Sequence, residues 1–151
     1  MKRGQGAFEY ILVVGIAMLL IVPGVMLFYN YSLKSNDEVM RSQINMIGND
    51  IMDAVEKVYY IGEYSWQSLK IDIPNKVSNI YVLDNFELII EYHSYSGTSQ
   101  AVFFSDVNIS GGGNSIPDPP GAVSISNSMH PGLNIIKIVS MGSYVLINET
   151  R

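Results

Sequence analysis

Few residues in this chain of 151 could carry out acid–base or metal chemistry. The chain contains two histidines, His93 and His130, and no cysteine, which excludes thiolate metal sites, thiol nucleophiles and disulfide bonds. His93 lies at the end of a predicted strand, and His130 precedes Pro131 in a predicted loop. Neither histidine stands in a pattern typical of a metal site or of a catalytic nucleophile and its base, so we interpret both as structural or solvent-exposed. The sequence therefore predicts neither an enzyme nor a cofactor site.

One fragment matches the first half of a calcium-binding loop. Asp106, Asn108 and Ser110 are spaced two apart and are followed by Gly111, as the oxygen ligands and the glycine of such a loop are. The twelfth position, where a bidentate glutamate completes the loop, is Pro117. We therefore interpret the fragment as a glycine-rich surface turn, with calcium binding as the less favoured alternative.

Three Asn-x-Ser/Thr sequences are candidate acceptors of N-linked glycan, a modification of surface proteins. They begin at Asn30, Asn108 and Asn148. Asn30 follows the apolar segment described below, so lipid would hinder its modification. Such sequences also arise by chance, and an unmodified asparagine is the alternative at each position.

Apolar residues are concentrated near the N-terminus, where residues 10–28 include no charge. A helix of about 20 apolar residues spans about 30 Å, the thickness of the hydrocarbon core of a bilayer. Lys2 and Arg3 precede this segment, and Tyr29 and Tyr31 follow it. Because basic flanks stay in the cytoplasm, we expect a single-pass membrane protein with a cytoplasmic N-terminus and an extracellular C-terminal domain.

A carboxylate, Glu9, stands at the edge of this segment, where its insertion into a bilayer is costly. A plain signal anchor gives no reason for Glu9, and an ordinary secretory signal would end in a small-x-small cleavage site that this chain lacks after residue 28. The first twelve residues, MKRGQGAFEYIL, supply a reason. They form a short basic leader that ends in Gly4, followed by Gln5, the small Ala7, and Glu9 at the head of the apolar segment.

This pattern resembles the class III, prepilin-type signal of archaeal type IV pilin-like proteins. The resemblance covers residues 1–30 only, and the family often has serine where this chain has Ala7. It implies that a prepilin peptidase cleaves between Gly4 and Gln5, so that the apolar helix is kept. It also implies that Glu9 of an incoming subunit pairs with the Gln5 amino group of its neighbour and sets the axial register of a filament. The alternative is that Glu9 only stabilises the start of its own helix.

Beyond the apolar segment, the spacing predicts an amphipathic helix over residues 30–62, which Gly62 ends. Its apolar stripe consists of Leu33, Met40, Ile44, Ile47, Ile51, Val55 and Val58. We interpret this stripe as a packing face against the protein's own sheet. Residues 30–36 are a weak point, which either separates two helices or lies within one long helix.

From residue 69 onward the apolar period changes to two, which predicts antiparallel strands. The predicted strands cover residues 69–73, 77–83, 86–93, 100–104, 133–140 and 143–148. In the third of them, alternation places one face in the core and the other in solvent. Asp84-Asn85 predicts a two-residue turn, residues 94–100 a longer turn, and residues 110–121 a loop rich in glycine, serine and proline.

The composition agrees with this organisation. Charged residues make up only 15% of the chain, which is typical of a protein partly in lipid, and the net charge of −5 argues against nucleic acid as a partner. The predicted fold class is α+β, with a long N-terminal helix, half transmembrane and half amphipathic, packed on a C-terminal antiparallel β-sheet domain. We divide the chain into a leader (residues 1–4), a transmembrane and filament-core helix (5–29), the amphipathic helix (30–62) and an extracellular β-rich domain (63–151).

The resemblance implies a pilin, the structural subunit of a type IV pilus-like surface filament that serves adhesion. Its partners would be prepilin peptidase, identical or related pilin subunits, and membrane lipid before assembly. One alternative is a monomeric membrane-anchored binding or sensor module, and another is a minor pilin that primes a filament of another subunit. Removal of the leader after Gly4 separates both kinds of pilin from the sensor, and abundance in purified filaments separates the two kinds of pilin.

Overall fold

The N-terminal helix is continuous. The computed structural model of the protein describes residues 3–127 and 130–150, with the backbone alone for residues 3–5 and 7. One helix, α1, runs without interruption from Arg3 to Ile61. Together with the strands given below, this helix confirms the α+β class. Residues 30–36 lie within one long helix and do not separate two helices.

The end of α1 lies where the sequence predicts it, at Gly62. Gly62 has a φ of 118°, a conformation that costs glycine little because it has no Cβ atom. Its N–H donates to the carbonyl oxygen of Val58 at 3.4 Å. The Ser65 hydroxyl lies 2.6 Å from that same carbonyl oxygen and 2.7 Å from the carbonyl oxygen of Gly62. These contacts satisfy backbone groups that the end of a helix leaves without partners.

Contacts divide the chain into two compact units, Met1–Glu38 and Val39–Arg151. The first unit is formed by the N-terminal part of α1. The second contains the remainder of α1 and the strands. The strands are β1 (Trp66–Ile73), β2 (Val77–Leu83), β3 (Glu87–Ser94), β4 (Gly97–Phe104), β5 (Ile109–Gly111), β6 (Ser115–Ile116), β7 (Ala122–Ser124), β8 (Gly132–Ser140) and β9 (Val145–Thr150).

The described strands form two sheets, so the prediction of one antiparallel sheet is wrong. Sheet A has the order β1-β8-β9-β5, and sheet B has the order β4-β3-β2-β7-β6. The pairing of β5 with β9 is parallel, whereas the other pairings are antiparallel. Alternation along a strand shows which side chains share a face, but it carries no information about which strands are neighbours.

The turn predicted at Asp84-Asn85 is present, but the hairpin loop has three residues, 84–86, because Leu83 pairs with Glu87. Asp84 has a φ of 51° and Asn85 a φ of 65°, and positive φ at both central residues is what a type I′ turn requires. The N–H of Phe86 donates to the carbonyl oxygen of Leu83 at 3.2 Å, which closes the turn.

The next hairpin is tighter than the sequence predicts. Ser94 pairs directly with Gly97, so β4 starts three residues before the predicted position. Residues 110–121, predicted as a loop, contain the end of β5 and all of β6, and β7 follows directly. Strands of two or three residues are too short to give a periodic signal, which is why the pattern missed them.

The main core combines α1 with both sheets. Six of the seven predicted stripe residues are buried in it: Met40, Ile44, Ile47, Ile51, Val55 and Val58. The seventh, Leu33, lies in the first unit. The sheets contribute mostly Ile, Val and Leu side chains, including Ile71 of β1, Leu88 of β3 and Ile138 of β8. The stripe is therefore a packing face against the sheets, as predicted.

The outer face of β3 is only partly wet, which corrects the prediction of a fully solvated face: Glu87 and Glu91 are half-buried, and His93 is exposed. Leu88 and Ile90 face the main core, while Ile89, on the opposite face, is only 4% exposed. Ile89 packs with Tyr81 and Ala122 in a second, smaller cluster. This cluster depends on β7 lying beside β2, a neighbour that the sequence pattern does not reveal.

We expect Ile51→Ala to lower the free energy of unfolding by about 2–5 kcal/mol, because the side chain has no exposed surface and its removal leaves a cavity. Urea unfolding in detergent, followed by circular dichroism, measures the change. Met46→Ala is the matched control, since Met46 lies on the same helix and is 63% exposed. Equal losses from the two substitutions would contradict the placement of the core.

Candidate functional site

The N-terminal part of α1 exposes an uncharged, almost wholly apolar surface, which we call the N-terminal apolar surface (residues 10–31). Every residue in this range is exposed, and its large apolar side chains range from 39% exposed for Val14 to 73% for Phe28. Soluble monomers rarely expose a contiguous apolar patch of this size, because each Å² in water costs about 25 cal/mol. Lipid or other protein must therefore cover this surface.

The length of this surface fits a bilayer. No charged residue occurs between Glu9 and Lys34, and a helix of that length spans about 36 Å at about 1.5 Å per residue. The hydrocarbon core of a bilayer is about 30 Å thick. In the described part of the chain, α1 is the one helix that is long and apolar enough to cross a membrane. The helix is therefore compatible with a single-pass membrane anchor.

The polar groups of the predicted processing site lie at the start of α1. The backbone is helical at Gly4 and Gln5, while their side chains and that of Ala7 lie outside the described residues. Glu9 is exposed. Positions 5 and 9 are four residues apart in a helix, so they lie on the same face. Cleavage after Gly4 and pairing of Glu9 with a neighbouring subunit stay predictions.

The three candidate glycan acceptors lie in different environments. Asn30 lies within α1, inside the N-terminal apolar surface. Asn108 is exposed and comes just before β5. Asn148 lies within β9, and its side chain packs so closely over Gly112 that a Cβ added there would lie 2.6 Å from the Asn148 Cγ. Of the three, Asn108 alone is both exposed and outside the apolar surface.

The calcium-like fragment is extended. Val107 and Ile109 are buried, with 7% and 1% of their surfaces exposed, while Asp106 and Asn108 point to solvent. Ser110 lies within β5, which pairs with β9, so the predicted surface turn is partly an edge strand. Among the described residues, no three carboxylate, histidine or cysteine side chains form a group that could hold a metal ion.

Both histidines are exposed and make local contacts. His93 lies near the end of β3, with its Nδ1 atom 3.4 Å from the Thr98 hydroxyl. The His130 Nδ1 atom is 3.2 Å from the carbonyl oxygen of Pro131. The carbonyl oxygen of His130 accepts a hydrogen bond of 2.7 Å from the Asn134 amide. Neither contact forms a nucleophile–base arrangement.

A polar cleft on the outer face of sheet B was not predicted. It is lined by Tyr81, Glu91, Gln100 and Asp118 together with apolar residues. The Gln100 side-chain amide donates to the Tyr81 hydroxyl at 3.3 Å. Burial raises the pKa of the Tyr81 hydroxyl, and the negative charges of Glu91 and Asp118 raise it further. The lining comes from three strands and a loop, and no local sequence signal could have revealed it.

Comparison with known proteins finds no family model, no curated protein and no solved structure that matches this chain. The functional conclusion therefore depends on the N-terminal apolar surface, the residues around Glu9 and the second unit.

We expect protein isolated from its source cells to carry glycan on Asn108, because this acceptor is exposed in water. Asn108→Gln should then lower the intact mass by the mass of one glycan. Asn148→Gln is the control and should change the mass only by the substitution itself. Loss of a glycan from Asn148→Gln, with none lost from Asn108→Gln, would reverse this assignment.

Proposed function

We propose that this protein is a pilin, the structural subunit of a type IV pilus-like surface filament. A prepilin peptidase cleaves its precursor between Gly4 and Gln5, and the mature chain assembles through the N-terminal apolar surface. The observation that carries this proposal is a continuous helix that exposes apolar side chains all round over residues 10–31 but buries only one face over residues 40–58. The first part suits lipid or a helical filament core, and the second suits a folded domain.

Assembly replaces lipid with protein around the same side chains. Lipid tails are as apolar as leucine, so the hydrophobic effect alone does not drive helices together within a bilayer. Close packing and polar contacts between helices must provide the preference for the filament. A charged group at the start of the helix is therefore well placed to direct assembly.

Glu9 is that group. A carboxylate beside hydrocarbon is costly, and a positive partner offsets the cost. The amino group that cleavage creates at Gln5 supplies one on each neighbouring subunit. Removing one member of such a pair leaves the other charge buried alone, at a cost of about 3–5 kcal/mol.

The charge distribution supports a surface role for the second unit. Eleven acidic and six basic residues follow residue 38, so this unit carries the whole net charge of −5. A folded, acidic domain attached to an uncharged apolar helix is suited to the outside of a filament, in contact with the medium. Adhesion is the surface task that we propose for it.

One observation favours a second function, that of a monomeric membrane-anchored binding module. The polar cleft on the outer face of sheet B brings the carboxylates of Glu91 and Asp118 together, while the ring of Tyr81 is buried beneath them. Such a cleft is suited to a small cationic ligand. In that case α1 would be a plain anchor, and the leader would remain on the mature chain.

We expect the mature protein from source cells to begin at Gln5, as measured by N-terminal mass spectrometry. Gly4→Val should block cleavage and leave Met1 in place, because the added side chain lies at the scissile position. Gly24→Val is the control, since it alters a glycine of the same helix far from the cut. An intact Met1 in the unmodified protein, or a start beyond Phe28, contradicts the proposal. An N-terminal pyroglutamate would contradict the pairing alone.

We expect Glu9→Gln to reduce the number of filaments on the cell by about tenfold or more, because the neighbour's ammonium loses its charged partner. Electron microscopy counts the filaments, and immunoblotting of membranes checks that the subunit is still made and cleaved. Glu56→Gln, a substitution of an exposed glutamate on the same helix, should leave filaments unchanged. Normal filament numbers in Glu9→Gln would show that the carboxylate does not direct assembly.

A further inference from the structure

We propose that β4 is a docking edge, at which a second copy of this chain adds its own β4 in antiparallel orientation. Two copies would then share one continuous sheet. This interaction goes beyond the filament proposed above, which is held together by α1, and it does not depend on that proposal.

The four edges of the two sheets differ in how they are protected. Exposed edge strands invite pairing with other chains, and proteins protect them with charges, prolines, bulges or short length. Edge strand β1 carries Lys70 and Asp72 and is followed by Pro74. The edge strands β5 and β6 have three and two residues. Each of these three edges therefore shows one of the protective features.

Edge strand β4 has none of these features. It is eight residues long, GTSQAVFF, without a charged residue or a proline. It pairs with β3 through eight consecutive residues with no register shift, so no bulge twists it away. In the described part of the chain, no strand lies on its other side. Its backbone N–H and C=O groups on that side are placed to pair with another strand.

The side chains of β4 also favour contact with protein. Its outer face is exposed, and it ends in Val102 and Phe104, which are 43% and 74% exposed. The inner face of β4 carries Ser99, Ala101 and Phe103, which are only partly buried. The inner-face residues of the neighbouring strand β3, in contrast, are buried. A strand added at this edge would cover apolar surface on both faces of the sheet.

The charge pattern favours a second copy as the partner. The second unit of each copy carries a net charge of −5, so two copies repel unless they approach through an uncharged surface. An edge without charges allows two identical strands to pair with no like charges opposite each other. The acidic residues of the neighbouring strand, Glu87 and Glu91, lie on β3 and not on the edge itself. Across the dimer these would be three strand spacings apart, about 14 Å, which exceeds the Debye length of about 8 Å at physiological salt.

Two-fold symmetry limits the registers in which the two β4 strands can pair, and one of these registers can be tested. A two-fold axis perpendicular to the sheet keeps the same faces together, so outer-face residues of one copy lie opposite outer-face residues of the other. With Gln100 on the axis, Gln100 faces its own counterpart and Thr98 faces Val102. Directly opposite Cβ atoms in such a pair are about 4.5–5.5 Å apart, close to the separation that a disulfide bond needs.

Because the chain has no cysteine, a single substitution introduces a single thiol. We expect Gln100→Cys in the full-length protein, oxidised in its native membrane, to form about tenfold more disulfide-linked dimer than Ser68→Cys. Ser68 is the matched control, because it is an exposed serine in the middle of edge strand β1. Thr98→Cys and Val102→Cys should cross-link less than Gln100→Cys. Equal cross-linking of Ser68→Cys and Gln100→Cys, or none of Gln100→Cys, overturns the proposal.

A charge placed at the edge provides a second test. Gln100→Lys, introduced together with Thr98→Cys, should abolish the residual dimer that Thr98→Cys forms alone, because two ammonium groups would lie opposite each other. Ser68→Lys with Thr98→Cys is the control and should leave that dimer intact. Circular dichroism melting curves of the variants check that folding is unchanged. A dimer that survives Gln100→Lys overturns the proposal.

Two further outcomes separate this contact from other assemblies. In a Glu9→Ala background, which removes the proposed filament contact, the Gln100→Cys dimer should persist. If it disappears, the contact belongs to filament packing, and the proposal that β4 pairs independently of the filament is wrong. If Gln100→Cys joins only a different membrane protein, the edge accepts a foreign strand and the second-copy proposal is overturned.

Discussion

The structure depends on one helix that must satisfy two different environments. Over residues 10–31, α1 is apolar on all sides and exposed, while over residues 40–58 it is apolar along one stripe that is buried. A helix of the first kind is stable only in lipid or among similar helices, whereas one of the second kind needs a sheet to cover it. No break in the helix separates the two parts, although Pro23 removes one backbone N–H donor from it.

The second unit is built around the apolar stripe of α1. Two sheets supply the apolar side chains that cover it, and a smaller cluster buries Ile89 on the outer face of sheet B. Its charged residues remain on the surface and are mostly acidic. The apolar segment of the first unit, residues 10–33, carries no charge. The short strands β5, β6 and β7 complete this arrangement by closing edges that would otherwise expose backbone groups. At β4 the edge is left open.

The proposed function combines these two features with one carboxylate. Glu9 lies at the head of the N-terminal apolar surface, and in the proposed function it gives a direction to helix packing. The apolar side chains provide contact area but little specificity, because many helices can pack on them equally well. An ion pair in a medium of low dielectric is directional and costly to leave incomplete, so it can select one register among many.

The sequence by itself determined the helix, its apolar segment, its stripe and its end at Gly62, because these features depend on local spacing and on the backbone freedom of glycine. It also located the turn at Asp84-Asn85, although the hairpin loop has one residue more than the sequence predicts. Only the tertiary structure decided that β1 pairs with β8, that β5 runs parallel to β9, and that Ile89 is buried. It also brought Tyr81, Glu91 and Asp118 to one cleft and left β4 at an edge. These features depend on contacts between residues far apart in the chain, and alternation within a strand carries no information about its neighbours.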